Sequence, residues 1–209
     1  MRLSIEEHTS RPWRIRKFVP DFTIEDVWAL PVHGTLDEFP ALLELIVGGE
    51  SDSGKVDFLD SSAARFLWYM RDRLGAIFGM GTLGAQVDGA ASLPIPGEEE
   101  TSLASRLDDD LRNTAEDLQF RTLPFTSLYR TDDEFAAEIS NKTMHSVMHV
   151  AWARRSDGIY QGQMTVYVKP RGPFGKAYMA FIKPFRYAIV YPALMRHFEK
   201  AWYSKVSAA

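Results

Sequence analysis

The sequence predicts an α+β fold in which strands of the second half hand over to one long C-terminal helix. Three observations carry this. Gln163 to Pro170 alternates as a strand and is broken by Arg171-Gly172-Pro173. Phe174 to Tyr203 then has helical periodicity, interrupted only by Pro184 and Pro192. Upstream, Thr126–Arg130, Glu134–Ser140, Thr143–Arg154 and Tyr160–Lys169 read as further strands, with Asp157-Gly158 as a hairpin signal between the last two. A sheet leading into a long apolar helix is an arrangement that wraps a cavity in several small-molecule-binding folds.

The first half fills in around this frame. Trp13 to Ile24 mixes basic and apolar residues and is expected to wrap the surface. Glu25–Val32 reads as a first strand, stopped at His33-Gly34. Thr35-Leu36-Asp37-Glu38 has the capping-box spacing, and Phe39, Leu42, Leu43, Ile46 and Val47 continue at helical intervals to Gly48-Gly49. Ser61 to Met80 gives a second helix, and residues 81–100, rich in Gly and Pro, read as a mobile loop. No repeat or linker divides the chain, so 1–209 is taken as a single domain. Thr131-Asp132-Asp133-Glu134 leaves two readings open, a strand or a capped short helix over 132–140.

Composition narrows the chemistry. A chain of 209 residues buries roughly 70% of its unfolded surface and needs no staples. It has no cysteine, which removes disulfides, thiolate metal sites and cysteine nucleophiles and fits a reducing cytoplasm. Its N-terminus lacks a signal-peptide core. The net charge of −4 does not call for nucleic acid. Acids gather between Asp88 and Asp117 and bases from Lys169 onward, where Glu199 is the only acid; the two regions are expected to be solvated faces that partly neutralise each other. Ala177 to Met195 approaches the length of a membrane span, but Lys183 and Arg186 at its centre would each cost about 2.5–3.5 kcal/mol, so no span is expected.

The helix instead reads as buried on one side, with Tyr178, Phe181, Ile182, Phe185 and Ile189 toward the sheet and Lys176, Met179, Lys183, Arg186 and Val190 away from it. Pro184 should bend it. Strand alternation puts Met144, Met148, Val150 and Trp152 on one side and His145, Val147 and His149 on the other. In the next strand Tyr160, Met164, Val166 and Val168 oppose Gln161, Gln163, Thr165 and Tyr167. The apolar set faces the helix. Trp68, Met148, Trp152, Tyr160, Met164, Phe181 and Phe185 are therefore the candidate ligand-lining residues, with ordinary core packing as the plainer alternative. His145, His149 and Lys183 are the polar candidates. The two histidines could join Glu134 or Glu138 at a metal, but no tightly spaced third ligand accompanies them, and a solvated sheet face is expected; no metal or cofactor is predicted. Gly79-Met80-Gly81-Thr82-Leu83-Gly84 has dinucleotide-fingerprint spacing, yet it ends a helix rather than opening one. Asp108-Asp109-Asp110 reads as a solvated acidic run, and no Gly-x-Ser-x-Gly elbow occurs.

Several segments resemble a bacterial family, the domain of unknown function 2867. They are Ser10-Arg11-Pro12-Trp13-Arg14-Ile15, Pro20-Asp21-Phe22, Asp26-Val27-Trp28-Ala29-Leu30-Pro31 and Leu123-Pro124-Phe125-Thr126. Thr131-Asp132-Asp133-Glu134, Glu138-Ile139-Ser140-Asn141, Gly162-Gln163-Met164, Ala177-Tyr178-Met179, Ile182-Lys183-Pro184-Phe185-Arg186 and Ile189-Val190-Tyr191-Pro192-Ala193-Leu194-Met195-Arg196 complete the likeness. The resemblance implies a START-like (SRPBCC, polyketide-cyclase-like) helix-grip fold: a curved antiparallel sheet around a long C-terminal helix, with two shorter helices after the first strand. It implies no catalytic residues. The reading that follows is a binder of a small hydrophobic molecule held between sheet and helix. The alternatives are a cyclase- or lyase-like enzyme on a hydrophobic intermediate, and a peripheral-membrane or interaction module. A homodimer is compatible with all three.

Overall fold

The computed structural model describes residues 1–48, 101–120, 123–141 and 143–206. The expected helix 61–80, the loop 81–100, the Gly79–Gly84 motif and Trp68 lie outside them. Within them the chain is a mixed α+β structure built on a five-stranded curved antiparallel sheet: β1 (Thr23–Gly34), β2 (Thr126–Arg130), β3 (Glu134–Ser140), β4 (Met144–Arg154) and β5 (Tyr160–Pro170). The strand order is β1-β5-β4-β3-β2, so a four-strand meander receives the first strand on its far edge. The open choice over 132–140 resolves as strand. The β4–β5 connection is the hairpin expected from Asp157-Gly158: Arg155 N–H donates to the Ile159 carbonyl at 2.8 Å, and Gly158 supplies the positive φ of 85°.

β1 is an edge strand, which lets it hold Pro31 at a register shift between Ala29 and His33. The N-terminal residues shield that edge, Leu3 N–H bonding the Val27 carbonyl and Ala29 N–H the Met1 carbonyl. After β1, the Thr35–Glu38 capping box forms as predicted, with Thr35 N–H donating to Glu38 Oε2 at 2.7 Å. A short 3-10 turn leads into α3 (Phe39–Val47), which buries Phe39, Leu42, Leu43 and Val47.

Two short helices, α1 (Ile5–Thr9) and α2 (Ile15–Phe18), precede β1. They correct the expectation that Trp13–Ile24 lies on the surface. Trp13, Ile15, Phe18 and Val19 are buried against the back of the sheet, where with Leu103, Leu107, Leu111, Leu128 and Tyr129 they form a second core. The acidic run is paired here too. Lys17 reaches Asp108, Arg14 reaches Asp110 and Arg112 reaches Asp109, so the described acids of this region neutralise N-terminal and neighbouring bases rather than the C-terminal helix.

The predicted C-terminal helix is long but has three parts: α4 (Gly172–Phe185), a π-helical turn (Arg186–Val190) and α5 (Tyr191–Val206). Pro184 supplies the reason, because it deprives the ladder of one donor and crowds the preceding turn. The inward face also differs from the one expected. Gly175 and Met179 are the buried residues of α4, while Phe181 is 51% exposed. Backbone contact fixes this face: a Cβ on Gly175 would collide with the Thr143 carbonyl oxygen, so the helix rests there directly on the start of β4. In α5 the inward set is Tyr191, Phe198 and Trp202.

Candidate functional site

Alternation along the strands creates two chemically different sides. On the back of the sheet, β3 presents Glu134 and Glu138, which alternation puts on one face, and β4 presents His149 and His145 diagonally opposite. His149 Nε2 donates to Glu134 Oε2 at 3.1 Å, and His145 Nε2 to Glu138 Oε2 at 2.9 Å. Each carboxylate also receives backbone N–H groups from the chain covering it. Glu134 takes those of Arg14 and Ile15 at the start of α2, together with the Tyr129 hydroxyl. Glu138 takes Leu103 N–H and the Ser102 hydroxyl at the start of a 3-10 turn, Leu103–Arg106. The two acids thus bracket the cover onto the sheet by satisfying helical donors that have no partner of their own.

All four residues are at most 4% exposed, which corrects the expectation of a solvated histidine face. His8 completes this layer between Tyr167 Oη at 2.6 Å and Thr165 Oγ1 at 3.0 Å. Burial, with His149 beside it, lowers the His8 pKa to about 3. Burial would raise the Glu134 pKa, but the His149 bond and charge, the Arg14 N–H and the Tyr129 hydroxyl outweigh it and hold the carboxyl below its ordinary value. Among the described residues no group of three or more His, Asp or Glu is arranged to hold a metal ion. The geometry is that of two separate Glu–His pairs.

The helix-facing side is apolar and uneven. At one end Leu30, Phe39, Leu42, Leu43, Phe135, Val150, Trp152, Phe198 and Trp202 close into a packed core. Trp152 and Trp202 lock that end, their indole N–H groups donating to the carbonyls of Thr35 at 2.7 Å and His33 at 3.1 Å. Between that end and α4 the packing loosens at one place. Met148 and Val166 stand directly opposite each other on the two central strands, yet both are only half-buried. Behind them His149, Val147, Thr165 and Tyr167 are at most 3% exposed.

One polar cluster borders this looser floor. Asp26 on β1 is paired with Val166, is 1% exposed, and accepts three donors from the C-terminal helix. These are Arg186 Nη2 at 2.6 Å, the Tyr191 hydroxyl at 2.7 Å and the Tyr187 hydroxyl. Arg186 Nη2 also reaches Tyr191 Oη at 2.5 Å, and Trp28 lies against Tyr191 with ring centroids 4.4 Å apart. Burial would lower the Arg186 pKa, but Tyr191 and Asp26 outweigh it and raise it; burial and the bond to Asp26 push Tyr187 up to about 12. The π-turn is what places Arg186, Tyr187 and Tyr191 on one carboxylate, an arrangement such turns often serve at functional sites.

The predicted residues are thus distributed over several places. Met148 and Met164 share the helix-facing side, and Trp152 and Tyr160 stack at its packed end with centroids 6.4 Å apart. Phe181 and Phe185 contact each other on α4 at 5.7 Å. His145 and His149 are behind the sheet, and Lys183 is on the surface, 3.0 Å from Glu25. Asp26, Arg186, Tyr187 and Tyr191 were not singled out as a site by the sequence. Asp26 carried a signal, since it alternates in phase with Trp28 and Leu30.

Fold and site together define an α+β protein whose curved sheet packs under a long, interrupted C-terminal helix. The family model for proteins of unknown function DUF2867 matches residues 18–193, and the chain belongs to that family. No curated protein and no solved structure matches it. No helix among the described residues is long and apolar enough to cross a membrane.

Proposed function

We propose that this chain binds a small hydrophobic molecule between the helix-facing side of its sheet and the C-terminal helix, in the manner of START-like helix-grip proteins. The observation that carries the reading is the half-burial of Met148 and Val166 at the centre of the sheet, where the opposite side is closed. Central-strand apolar residues left accessible on one side only are what a concave, apolar binding site requires, and the Asp26–Arg186 cluster supplies the few polar groups that orient a ligand. Met148 and Met164 form the floor; their flexible thioethers suit an irregular apolar ligand. Tyr160 and Trp152 close the far end, and Phe185 belongs to the helical roof.

Native mass spectrometry of the purified protein tests this, together with titration by N-phenyl-1-naphthylamine, a neutral dye that fluoresces when desolvated. A co-purified molecule or saturable fluorescence that Met148→Trp abolishes is expected. Absence of both, with the protein folded, overturns the reading.

A second reading draws on α4 itself. Phe174 and Phe181 are 43% and 51% exposed on a helix that also carries Lys176 and Lys183, a composition suited to an anionic membrane surface. Salt-sensitive sedimentation with anionic vesicles would favour it over the first.

A further inference from the structure

We infer that the ligand of this site carries an sp² oxygen, a carbonyl or a carboxylate, received by the N–H groups of Trp28 and Arg186. The inference rests on the binding reading above and deepens it by naming the chemistry of the ligand's polar end. Its basis is a count of donors and acceptors around Asp26. The Asp26 carboxylate is committed to Arg186, Tyr187 and Tyr191. The Tyr191 oxygen additionally accepts from Arg186. Every strong acceptor of the cluster is therefore in use.

Donors remain. The Trp28 indole N–H is buried and makes no hydrogen bond. Arg186 bonds through Nη2, and among the described residues no bond is made by its Nη1 or Nε; its side chain is 13% exposed. Both residues pack on one ring: Trp28 lies 4.4 Å from the Tyr191 centroid and the Arg186 guanidinium carbon 5.4 Å from it. Both also adjoin the looser floor, because Asp26 is opposite Val166 and Trp28 is opposite Met164. A buried N–H without a partner costs roughly 1–3 kcal/mol, so the Trp28 donor favours a guest that supplies an oxygen lone pair, with the Arg186 guanidinium beside it as a second donor. An ammonium or other cation meets a fixed guanidinium, and the Asp26 charge that would attract it is already neutralised by Arg186. Asp26 already neutralises Arg186, so a ketone or ester carbonyl satisfies the site without adding charge, while a carboxylate satisfies it and adds one.

The test displaces N-phenyl-1-naphthylamine with three ten-carbon probes: 2-decanone, decanoate and decyltrimethylammonium. Expected is displacement by 2-decanone or decanoate at concentrations at least about tenfold lower than by the ammonium. Tighter binding by 2-decanone identifies a neutral carbonyl, and tighter, salt-sensitive binding by decanoate identifies a carboxylate. Trp28→Phe keeps a ring and removes the N–H; it should weaken the oxygen-bearing probe about 5- to 10-fold more than it weakens the dye, the loss of one hydrogen bond. The paired variant Asp26→Asn with Arg186→Met avoids an orphaned charge and should weaken the same probe by a similar or larger factor. Equal displacement by all three probes, or oxygen-probe affinity unmoved in both variants, overturns this inference while dye binding leaves the binding reading standing. A dye that does not bind, with no co-purified molecule, removes the binding reading itself.

Discussion

Met148 and Met164 sit on neighbouring central strands, on the same side of the sheet and diagonally adjacent, yet Met164 is 5% exposed and Met148 is half-buried. The same deletion at the two positions therefore measures how the space under the helix is divided. Met164→Ala should cost about 2–5 kcal/mol, as truncation of a closed methionine does. Met148→Ala should cost less than half of that. Chemical denaturation of both variants decides it, and equal costs would mean the floor is packed throughout.

Asp26 and Arg186 form a buried ion pair whose halves depend on each other. Removing one partner leaves an uncompensated buried charge, so Arg186→Met should destabilise by about 3–5 kcal/mol. Adding Asp26→Asn should restore much of the loss. The coupling is read from a double-mutant cycle in urea, and additive single effects would show that the pair is not a unit.

Gly175→Ala tests the contact between α4 and β4. The added methyl would run into the Thr143 carbonyl oxygen, so the helix must lift from the sheet. A loss of about 1–3 kcal/mol is expected, with faster proteolysis within α4 than in α5. Wild-type stability would mean the helix shifts there freely.

Acid should loosen the N-terminal cover. His8 is neutral in the fold with a pKa near 3, whereas the unfolded chain takes up a proton below about 6.5. Its contribution is complete above pH 6.5 and is lost as pH falls toward 3, at up to about 1.4 kcal/mol per pH unit. Glu134, held below its ordinary value of 4.5, acts in the same direction: its stabilisation is present above that value and lost on further acidification. His33, lowered by burial and by the nearby Arg155 charge, adds weakly to the upper window. His8→Gln should flatten the stability profile between pH 6.5 and 4.5 and make the fall below 4.5 shallower, leaving there the part due to the carboxylates. An unchanged slope would assign the upper window to other groups.

The architecture was legible where periodicity and local turn chemistry determine structure. The β4 and β5 alternation, the Asp157-Gly158 hairpin and the Thr35–Glu38 capping box all depend on neighbours within a few residues, and each formed as expected. The helix face departs from its periodicity because Gly175, which has no side chain to register in a pattern, decides it through backbone contact. His145 and His149 looked solvated because their cover, residues 13–19 and 102–111, is remote in sequence, and the carboxylates that admit them to the interior lie on another strand. The Asp26–Arg186 pair spans 160 residues and leaves no spacing to detect.

The π-turn at Arg186–Val190 has a consequence for how this chain can vary. Its wider winding accommodates an extra residue, so Met179 in α4 and Tyr191, Phe198 and Trp202 in α5 do not follow one uninterrupted helical phase. The turn works as a gear change between two halves: α5 takes its phase from the sealed core, while α4 takes its own from the contact of Gly175 with Thr143. Substitutions on the exposed face of α4 should therefore leave the Trp202 end undisturbed. Deleting a single residue within the turn would do the reverse, swinging one half out of mesh with the sheet.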